Sequence, residues 1–350
     1  MKNALKYTIS LLLAGGLLWL VFKDIDLVAM WERLQAADWR WIALSCALLL
    51  MAHITRAWRW QMLLEPLGYR PGLFDATTSV LTGYFANYIV PRMGEVTRCG
   101  TLYKLEKVPV NLSFGTVVAE RVFDVLTLLV LIGLNFVLEF DRLSQFFLEF
   151  FGGKVGGADT SATGPNVLLV VVGGAGLVVL LAVVYILRNK DLRDRLLANA
   201  LVTKIVDFLK GMAEGVLSIR KLSSPGLFIF STLLIWAFYY LISYVLFFCV
   251  PQTADLGPLA GLTVLVIGAI GMTAPTQGGI GAYHLLVGSV MVLYGLTQAD
   301  GVTLATFIHG TQMLFMLAIG ALAFLVVLFK NQKSDAQPEP QPAVVDSTQL

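Results

Sequence analysis

The sequence predicts an all-α membrane protein that crosses the bilayer several times. Of its 350 residues, 57% are hydrophobic and only 14% are charged, and the mean hydropathy is +0.77. Soluble proteins carry nearer a quarter charged residues. The charges are also segregated, because residues 222–329 include only Asp255 and Asp300. Apolar runs of about 20 residues are long enough to cross a hydrocarbon layer about 30 Å thick.

Eight apolar segments follow one another along the chain. Two of them, 73–108 and 258–295, contain proline and glycine, which predicts broken, re-entrant helical hairpins. If each of these segments instead crossed the membrane twice, the predicted sides of all other segments would stay the same. No small-x-small cleavage site follows the first segment, so we expect that helix to be retained. The other six predict full spans over 5–22, 41–64, 112–138, 166–187, 225–250 and 304–329.

The distribution of basic residues predicts the orientation in the membrane. With a cytoplasmic N-terminus, the inner-face segments, 92–109 among them, carry 17 Lys and Arg and the outer-face segments carry 5. Positive residues favour the cytoplasmic side, so both termini are predicted to be cytoplasmic, in a bacterial-type inner membrane. Residues 188–221 predict a basic amphipathic helix at the membrane surface. One transmembrane domain, 1–330, precedes a disordered polar tail, 331–350.

Two parts of the transmembrane domain show the same order of elements in opposite orientation. Residues 41–138 and 225–329 each contain a span, an interrupted segment and a span, and each interruption contains Pro-x-x-Gly. Inverted repeats with broken helices are typical of secondary transporters. We therefore predict two inverted repeats. The alternative is that Pro and Gly are simply common in membrane helices.

The first break combines a helix interruption with charge. Pro91 removes a backbone donor, and Gly94 tolerates unusual dihedral angles. Arg92, Glu95 and Arg98 follow at helical spacing and share one face. A helix N-terminus flanked by arginines suits a phosphate or carboxylate. The alternative is that these residues lie among the cytoplasmic headgroups and only satisfy the positive-inside rule.

The second break has no formal charge and is rich in glycine. It begins at Pro275 and contains Gly278, Gly279 and Gly281. Their backbone N–H groups could form an anion-binding nest, or the glycines could only permit close helix packing. His284, after the break, and His309, on the last span, are candidates for handling protons or for ordinary hydrogen bonds.

Spans two and three carry ionisable residues. Arg56 and Arg59 are three residues apart on span two, while Glu120, Arg121 and Asp124 cluster at the start of span three. Ionisable residues inside a membrane usually face a cavity. We predict that the arginines and the acidic face line one polar cavity open to the cytoplasm. The neighbouring tryptophans suggest the alternative, a membrane interface to which the arginines snorkel.

Several classes of site are missing from the sequence. It contains no phosphate-binding loop of the ATPase type, no His-Glu-x-x-His and no Gly-x-Ser-x-Gly. Its three cysteines and three histidines show no metal-ligand spacing. We therefore expect no metal, no cofactor, no catalytic residue and no nucleic-acid partner. Whether the protein is an enzyme stays undecided, with a non-enzyme favoured.

Four motifs connect the chain to a known family. They are "RAWRWQMLLEPLG" (56–68), "PRMGEVTR" (91–98), "AERVFD" (119–124) and "PTQGGIGAYH" (275–284). In order and spacing over about 5–330, the chain resembles the flippase-like integral membrane proteins, also called the lysylphosphatidylglycerol synthase transmembrane region family. The resemblance implies translocation of an aminoacylated phospholipid between leaflets. No synthase domain follows here, so lipid aminoacylation is not expected. His284 stands where the family commonly has an acidic residue, which suggests a more anionic substrate.

These observations predict a translocase of phospholipid or polyisoprenoid phosphate, with membrane lipids as its main partners. An enzyme of lipid or glycan synthesis is a possible further partner. The alternatives are an intramembrane enzyme or accessory factor in lipid-linked glycan or headgroup transfer, and a scaffold that transports nothing. The lipid, the energy coupling and the oligomeric state stay open. Candidate anion partners are Arg56, Arg59, Arg92, Arg98 and Arg121, and candidates for charge pairing or proton handling are Glu95, Glu120, Asp124, His284 and His309.

Overall fold

The computed structural model describes residues 35–90, 93–142, 222–274 and 276–335, with Val28 and Glu32 as single positions. Within these residues the protein is helical and contains no strand. The predicted spans 5–22 and 166–187 and the predicted surface helix 188–221 lie outside the described residues. So do Pro91, Arg92 and Pro275, the first residues of the two sequence motifs at the breaks.

The described helices follow the predicted segments closely. Four regions are long and apolar enough to cross a membrane, namely Trp39–Leu67, Val110–Leu138, Pro225–Cys249 and Gln298–Lys330. The last helix continues to Asp335, so the segment predicted as a disordered tail from 331 is helical over its first five residues. In chain order the α-helices are α1 (Trp39–Leu64), α2 (Leu73–Ile89), α3 (Gly94–Glu106), α4 (Val110–Leu138), α5 (Pro225–Tyr244), α6 (Pro258–Met272), α7 (Ala282–Met291) and α8 (Gln298–Asp335).

Helices α1 and α5 pack side by side in antiparallel orientation. At one end the hydroxyl of Ser223, just before α5, donates to a Glu65 carboxylate oxygen at 2.7 Å. Further along, the hydroxyl of Ser45 donates to the carbonyl of Ile242 at 2.9 Å. This pair joins the first half of the described chain to the second.

The first interrupted segment is an antiparallel helical hairpin, α2–α3. At its open end the N–H of Gly72 donates to a Glu106 carboxylate oxygen at 2.8 Å. At its tip Gly83 packs directly on Gly94. Helix α3 is about 20 Å long at 1.5 Å per residue, so Arg98, near the tip, lies well inside the bundle. Its side chain is only 4% exposed and is enclosed by the neighbouring helices.

The second interrupted segment is also an antiparallel hairpin, α6–α7. The hydroxyls of Thr263 and Tyr294 lie 2.7 Å apart near its open end. Near its tip the ring of Tyr283 covers Gly268, where an added Cβ would lie 2.6 Å from a ring carbon. A short 3-10 turn, Gln277–Gly279, forms part of the break between the helices.

Each hairpin packs against the last helix of the other half. Helix α2 lies on α8, where the Lys330 ammonium contacts Asp75 at 2.6 Å. Helix α6 lies on α4, where the Thr263 hydroxyl donates to the Asn135 side chain at 3.0 Å. The hairpin tips also meet, because a Cβ on Gly278 would lie 3.3 Å from the ring of Tyr88, at the end of α2. This arrangement brings the two breaks next to each other.

Candidate functional site

A buried charge cluster lies where α1, α3 and α4 meet. We define it by five residues: Arg56 and Arg59 of α1, Arg98 of α3, and Glu120 and Asp124 of α4. All five are buried, and both Arg59 and Glu120 are 0% exposed. The spacing of three on α1 and of four on α4 turns each pair of side chains toward the other helix. The snorkelling alternative for the α1 arginines is therefore wrong.

The two carboxylates bridge the three guanidinium groups. Glu120 accepts a hydrogen bond from Arg56 Nη1 and another from Arg98 Nη2, the latter at 3.0 Å. Asp124 accepts from Arg56 Nη1 at 2.9 Å and from Arg59 Nη2 at 2.7 Å. Charge-assisted bonds of this kind are about twice as strong as neutral ones. The cluster therefore joins three helices through one connected network.

Helix α5 completes the network from the other half of the chain. Arg56 Nη2 donates to the hydroxyl of Tyr239 at 2.9 Å, and Arg59 Nη1 donates to the hydroxyl of Thr232 at 3.1 Å. Sequence reasoning missed both residues. Tyr239 is one of several aromatic residues on an apolar helix, and neither residue forms a motif with another polar side chain of α5.

The indole ring of Trp60 packs against the guanidinium group of Arg98. The Arg98 carbon Cζ lies 3.8 Å from the centroid of the Trp60 ring, which is a close cation–π contact. The indole Nε1 donates to the hydroxyl of Thr116 at 2.9 Å. Trp60 is fully buried, so it does not mark a membrane interface as its sequence context suggested.

The charge cluster carries more positive than negative groups. Three guanidinium groups face two carboxylates, which leaves one formal positive charge in excess among the described residues. In addition, the Nε atoms of Arg59 and Arg98 are buried without a hydrogen-bond partner in the described part of the chain. Burying an excess of one sign of charge is costly even when each group has a partner. An added anion would therefore be stabilised here.

A small pocket opens beside this cluster at the first break. Its polar lining comes from Tyr84, Asn87, Glu95, Arg98 and Arg121. Arg121 pairs with Glu95 at 3.2 Å, and their side chains are 42% and 31% exposed. The pocket thus has one buried arginine and one partly exposed arginine on its walls.

Close backbone contact explains the glycine of the first break. Gly94 is the first residue of α3 and is not among the glycines with positive φ, so the prediction of unusual dihedral angles was wrong. An added Cβ on Gly83 would lie 2.7 Å from the Gly94 carbonyl oxygen. The Gly94 N–H donates to the Asn87 side chain at 2.6 Å. Asn87 thereby caps α3 across the break, a role that its sequence position did not indicate.

The second break does contain left-handed glycines. Gly278, Gly279 and Gly281 have φ of 61°, 73° and 83°, values that glycine adopts without strain. The N–H of Gly281 donates to His284 Nδ1 at 3.3 Å. The rings of His284 and His309 lie 5.1 Å apart. The structure therefore places both predicted histidines together at this break.

Comparison with known families assigns the chain to one of them. The family model described as the lysylphosphatidylglycerol synthase TM region matches residues 7–320, nearly the whole chain. The chain belongs to this family. Together with the four apolar helices of spanning length, the match identifies a multi-pass membrane protein.

Two curated proteins are similar to parts of this chain. A UPF0104 membrane protein of Methanocaldococcus jannaschii is 32% identical over 122 residues, which are 34% of this chain and 36% of the relative. The glycosyltransferase AglD of Haloferax volcanii is 24% identical over 296 residues, which are 79% of this chain and 47% of the relative. The chain thus spans less than half the length of either relative. No solved structure matches it significantly.

Proposed function

We propose that this family member binds the phosphate of an anionic lipid, a phospholipid or a polyisoprenoid phosphate, and moves that lipid between leaflets. The excess positive charge of the buried cluster, reached through the pocket at the first break, is the observation that carries this proposal. A phosphate in the pocket would lie between Arg98 and Arg121. It would supply the negative charge that the cluster lacks.

The packing of the helices supports a transporter with two inverted repeats. In such a repeat α1 to α4 would correspond to α5 to α8, in that order. The contact of α2 with α8 then corresponds to the contact of α6 with α4, and α1 and α5 pair with each other across the axis. Inverted repeats let one half rock against the other around a fixed site. The buried charge cluster would then be exposed alternately to each side.

Transport in liposomes tests the proposal. Purified protein is reconstituted with a fluorescent phosphatidylglycerol, and the rate of its movement between leaflets is measured by reduction of the outer-leaflet fluorophore. We expect the wild-type protein to accelerate movement. Arg121→Gln should lower the rate by roughly tenfold or more, since a hydrogen bond to a charged group contributes about 1.5–3 kcal/mol.

Arg142→Gln is the matched control for this experiment. Arg142 is also partly exposed and also pairs with a glutamate, Glu139 at 3.0 Å, but both residues lie beyond the C-terminal end of α4. We expect its rate to equal that of the wild type. Movement no faster than in protein-free liposomes would refute the proposal, and equal rates for both variants would refute the role of Arg121.

The glycosyltransferase relative favours one alternative, because its match covers 79% of this chain. In that case the same pocket would hold the phosphate of a lipid-linked sugar and would present it to a transfer reaction. Purified protein incubated with polyisoprenyl phosphate and a nucleotide sugar distinguishes the two functions. Formation of glycosylated lipid without lipid movement would favour the alternative.

A further inference from the structure

Two buried polar atoms at the second break lack partners. The Thr276 hydroxyl and His309 Nε2 make no hydrogen bond within the described part of the chain. The two residues are only 7% and 4% exposed. Buried polar groups in native proteins nearly always find a partner. Two such atoms at one break therefore indicate a place where a ligand is bound.

The backbone around these atoms favours an anionic oxygen. Three glycines with positive φ precede the N-terminus of α7. The N–H groups of Gly279 and Gly281 already donate to the Thr276 carbonyl and to His284 Nδ1, so the attraction for an anion comes from the partial positive charge at the helix N-terminus. The ring of His309 lies 4.9 Å from that of Tyr283, beside the glycine turn.

Among the described residues, the side chains that contact this break carry no permanent charge. Besides His309, they are Tyr283 and His284 of α7 and Tyr88 of α2. This contrasts with the first break, where two arginines line the pocket. A ligand held here would be bound by hydrogen bonds and helix polarity, more weakly than beside the arginines.

Tyrosines on α2 connect the two breaks. Tyr84 lines the pocket at the first break, and Tyr88, one helical turn later on the same face, contacts Gly278 of the second break. The ring of His53 lies 4.4 Å from that of Tyr84. Tyr84 and Tyr88 therefore place two aromatic rings along α2 from the pocket at the first break to the glycine turn.

We propose that the second break is a second phosphate-binding site for the same lipid headgroup, formed by Thr276, His309 and the glycine turn. This inference rests on the proposed function, because it takes the lipid phosphate as the shared ligand. A charged site followed by an uncharged one lets a ligand bind firmly and still leave, as multi-site conduction requires.

Binding of a short-chain probe tests this site. The full chain in detergent is titrated with dioctanoyl phosphatidic acid, with native mass spectrometry to count bound molecules and calorimetry to measure dissociation constants. We expect two molecules to bind. Thr276→Val, which keeps the side-chain shape, should weaken the lower-affinity site roughly tenfold, as loss of one buried hydrogen bond predicts. His309→Phe should do the same.

Thr303→Val is the matched control. Thr303 is also 7% exposed, but its hydroxyl already donates to the Ala299 carbonyl of its own helix at 2.7 Å. It should bind both molecules as the wild type does. The same titrations are repeated with inorganic phosphate, which lacks the lipid chains, and with dioctanoylglycerol, which lacks the phosphate. Phosphate that binds the Thr276 site as tightly as the lipid probe would overturn the assignment to a lipid headgroup.

The outcomes separate this inference from the proposed function. If Arg121→Gln weakens binding while Thr276→Val binds both molecules normally, the second site is refuted and the proposed function stands. If Thr276→Val weakens binding while Arg121→Gln has no effect, the second site stands and the arginine site is refuted. If both variants bind like the wild type, both proposals are refuted.

Discussion

At the scale of single residues, the charge cluster is held together by its acidic members. Glu120 is completely buried and contacts all three cluster arginines. Removing one partner of a buried ion pair is strongly destabilising, because the remaining charge has no compensation. Pairs at the surface contribute little, since water and salt screen them. Replacing Glu120 should therefore destabilise the protein more than replacing Glu95, although each residue pairs with arginine.

Replacement of Glu120 by glutamine should destabilise the protein by about 3–5 kcal/mol. The amide removes one negative charge and leaves three buried guanidinium groups facing a single carboxylate. Glu95→Gln, which breaks a partly exposed pair, should change the stability by less than about 1 kcal/mol. The free energy of unfolding in mixed detergent micelles measures both. Equal losses in the two variants would show that burial of the pair does not set its contribution.

Residue spacing predicted one side of this cluster and missed the other. The intervals of three on α1 and four on α4 were enough to expect Arg56 and Arg59 in one polar cavity with Glu120 and Asp124, whereas the structure pairs these groups directly and buries them. The contact of Arg98 with Glu120 depends on how the hairpin folds back, which spacing within one helix does not report. Tyr239 joins from a position 183 residues away, so only the tertiary packing of α5 on α1 brings it here.

At the scale of elements, the first hairpin depends on how closely its two helices approach. Proline and glycine in the sequence predicted a break, and the break is present between Ile89 and Gly94. The reason given for Gly94 was wrong, because the glycine is needed for contact with Gly83 and not for its own dihedral angles. Sequence composition cannot distinguish these two uses of glycine, since both require only the absence of a Cβ atom.

Gly83→Ala should therefore separate α2 from α3. The new methyl group would lie 2.7 Å from the Gly94 carbonyl oxygen and 2.9 Å from Arg98 Cβ, so the helices must move apart at a cost of about 1–3 kcal/mol. Because Arg98 is displaced, binding of the lipid phosphate should weaken as well. Unfolding in detergent and titration with the phosphatidic acid probe measure the two effects.

Gly100→Ala is the control within the same hairpin. An added Cβ at this position of α3 meets nothing within 4 Å, and alanine favours a helix over glycine by up to about 1 kcal/mol. We expect unchanged or slightly raised stability and unchanged probe binding. A loss of stability as large as that of Gly83→Ala would mean that contact between the helices is not what requires Gly83.

At the scale of the whole molecule, the connections gather at two opposite ends. One end holds the open end of the first hairpin, the start of α5 and Lys330, joined by the contacts of Gly72 with Glu106 and of Lys330 with Asp75. The other end joins Asp38 to Cys249. The order of spans in the sequence predicts the same grouping of these segments, because loops between successive spans alternate sides. The count of basic residues predicts only which group is cytoplasmic.

The orientation of these ends in the membrane is the last prediction. In a variant without its native cysteines, Lys104→Cys lies at the end predicted to be cytoplasmic, and Asp255→Cys lies at the opposite end. Both positions are exposed. We expect a membrane-impermeant maleimide to label position 255 in intact spheroplasts and position 104 only in inside-out vesicles. Labelling of both from one side would contradict the two-ended arrangement of the bundle, whereas exchanged labelling would preserve that arrangement and reverse the orientation inferred from the basic residues.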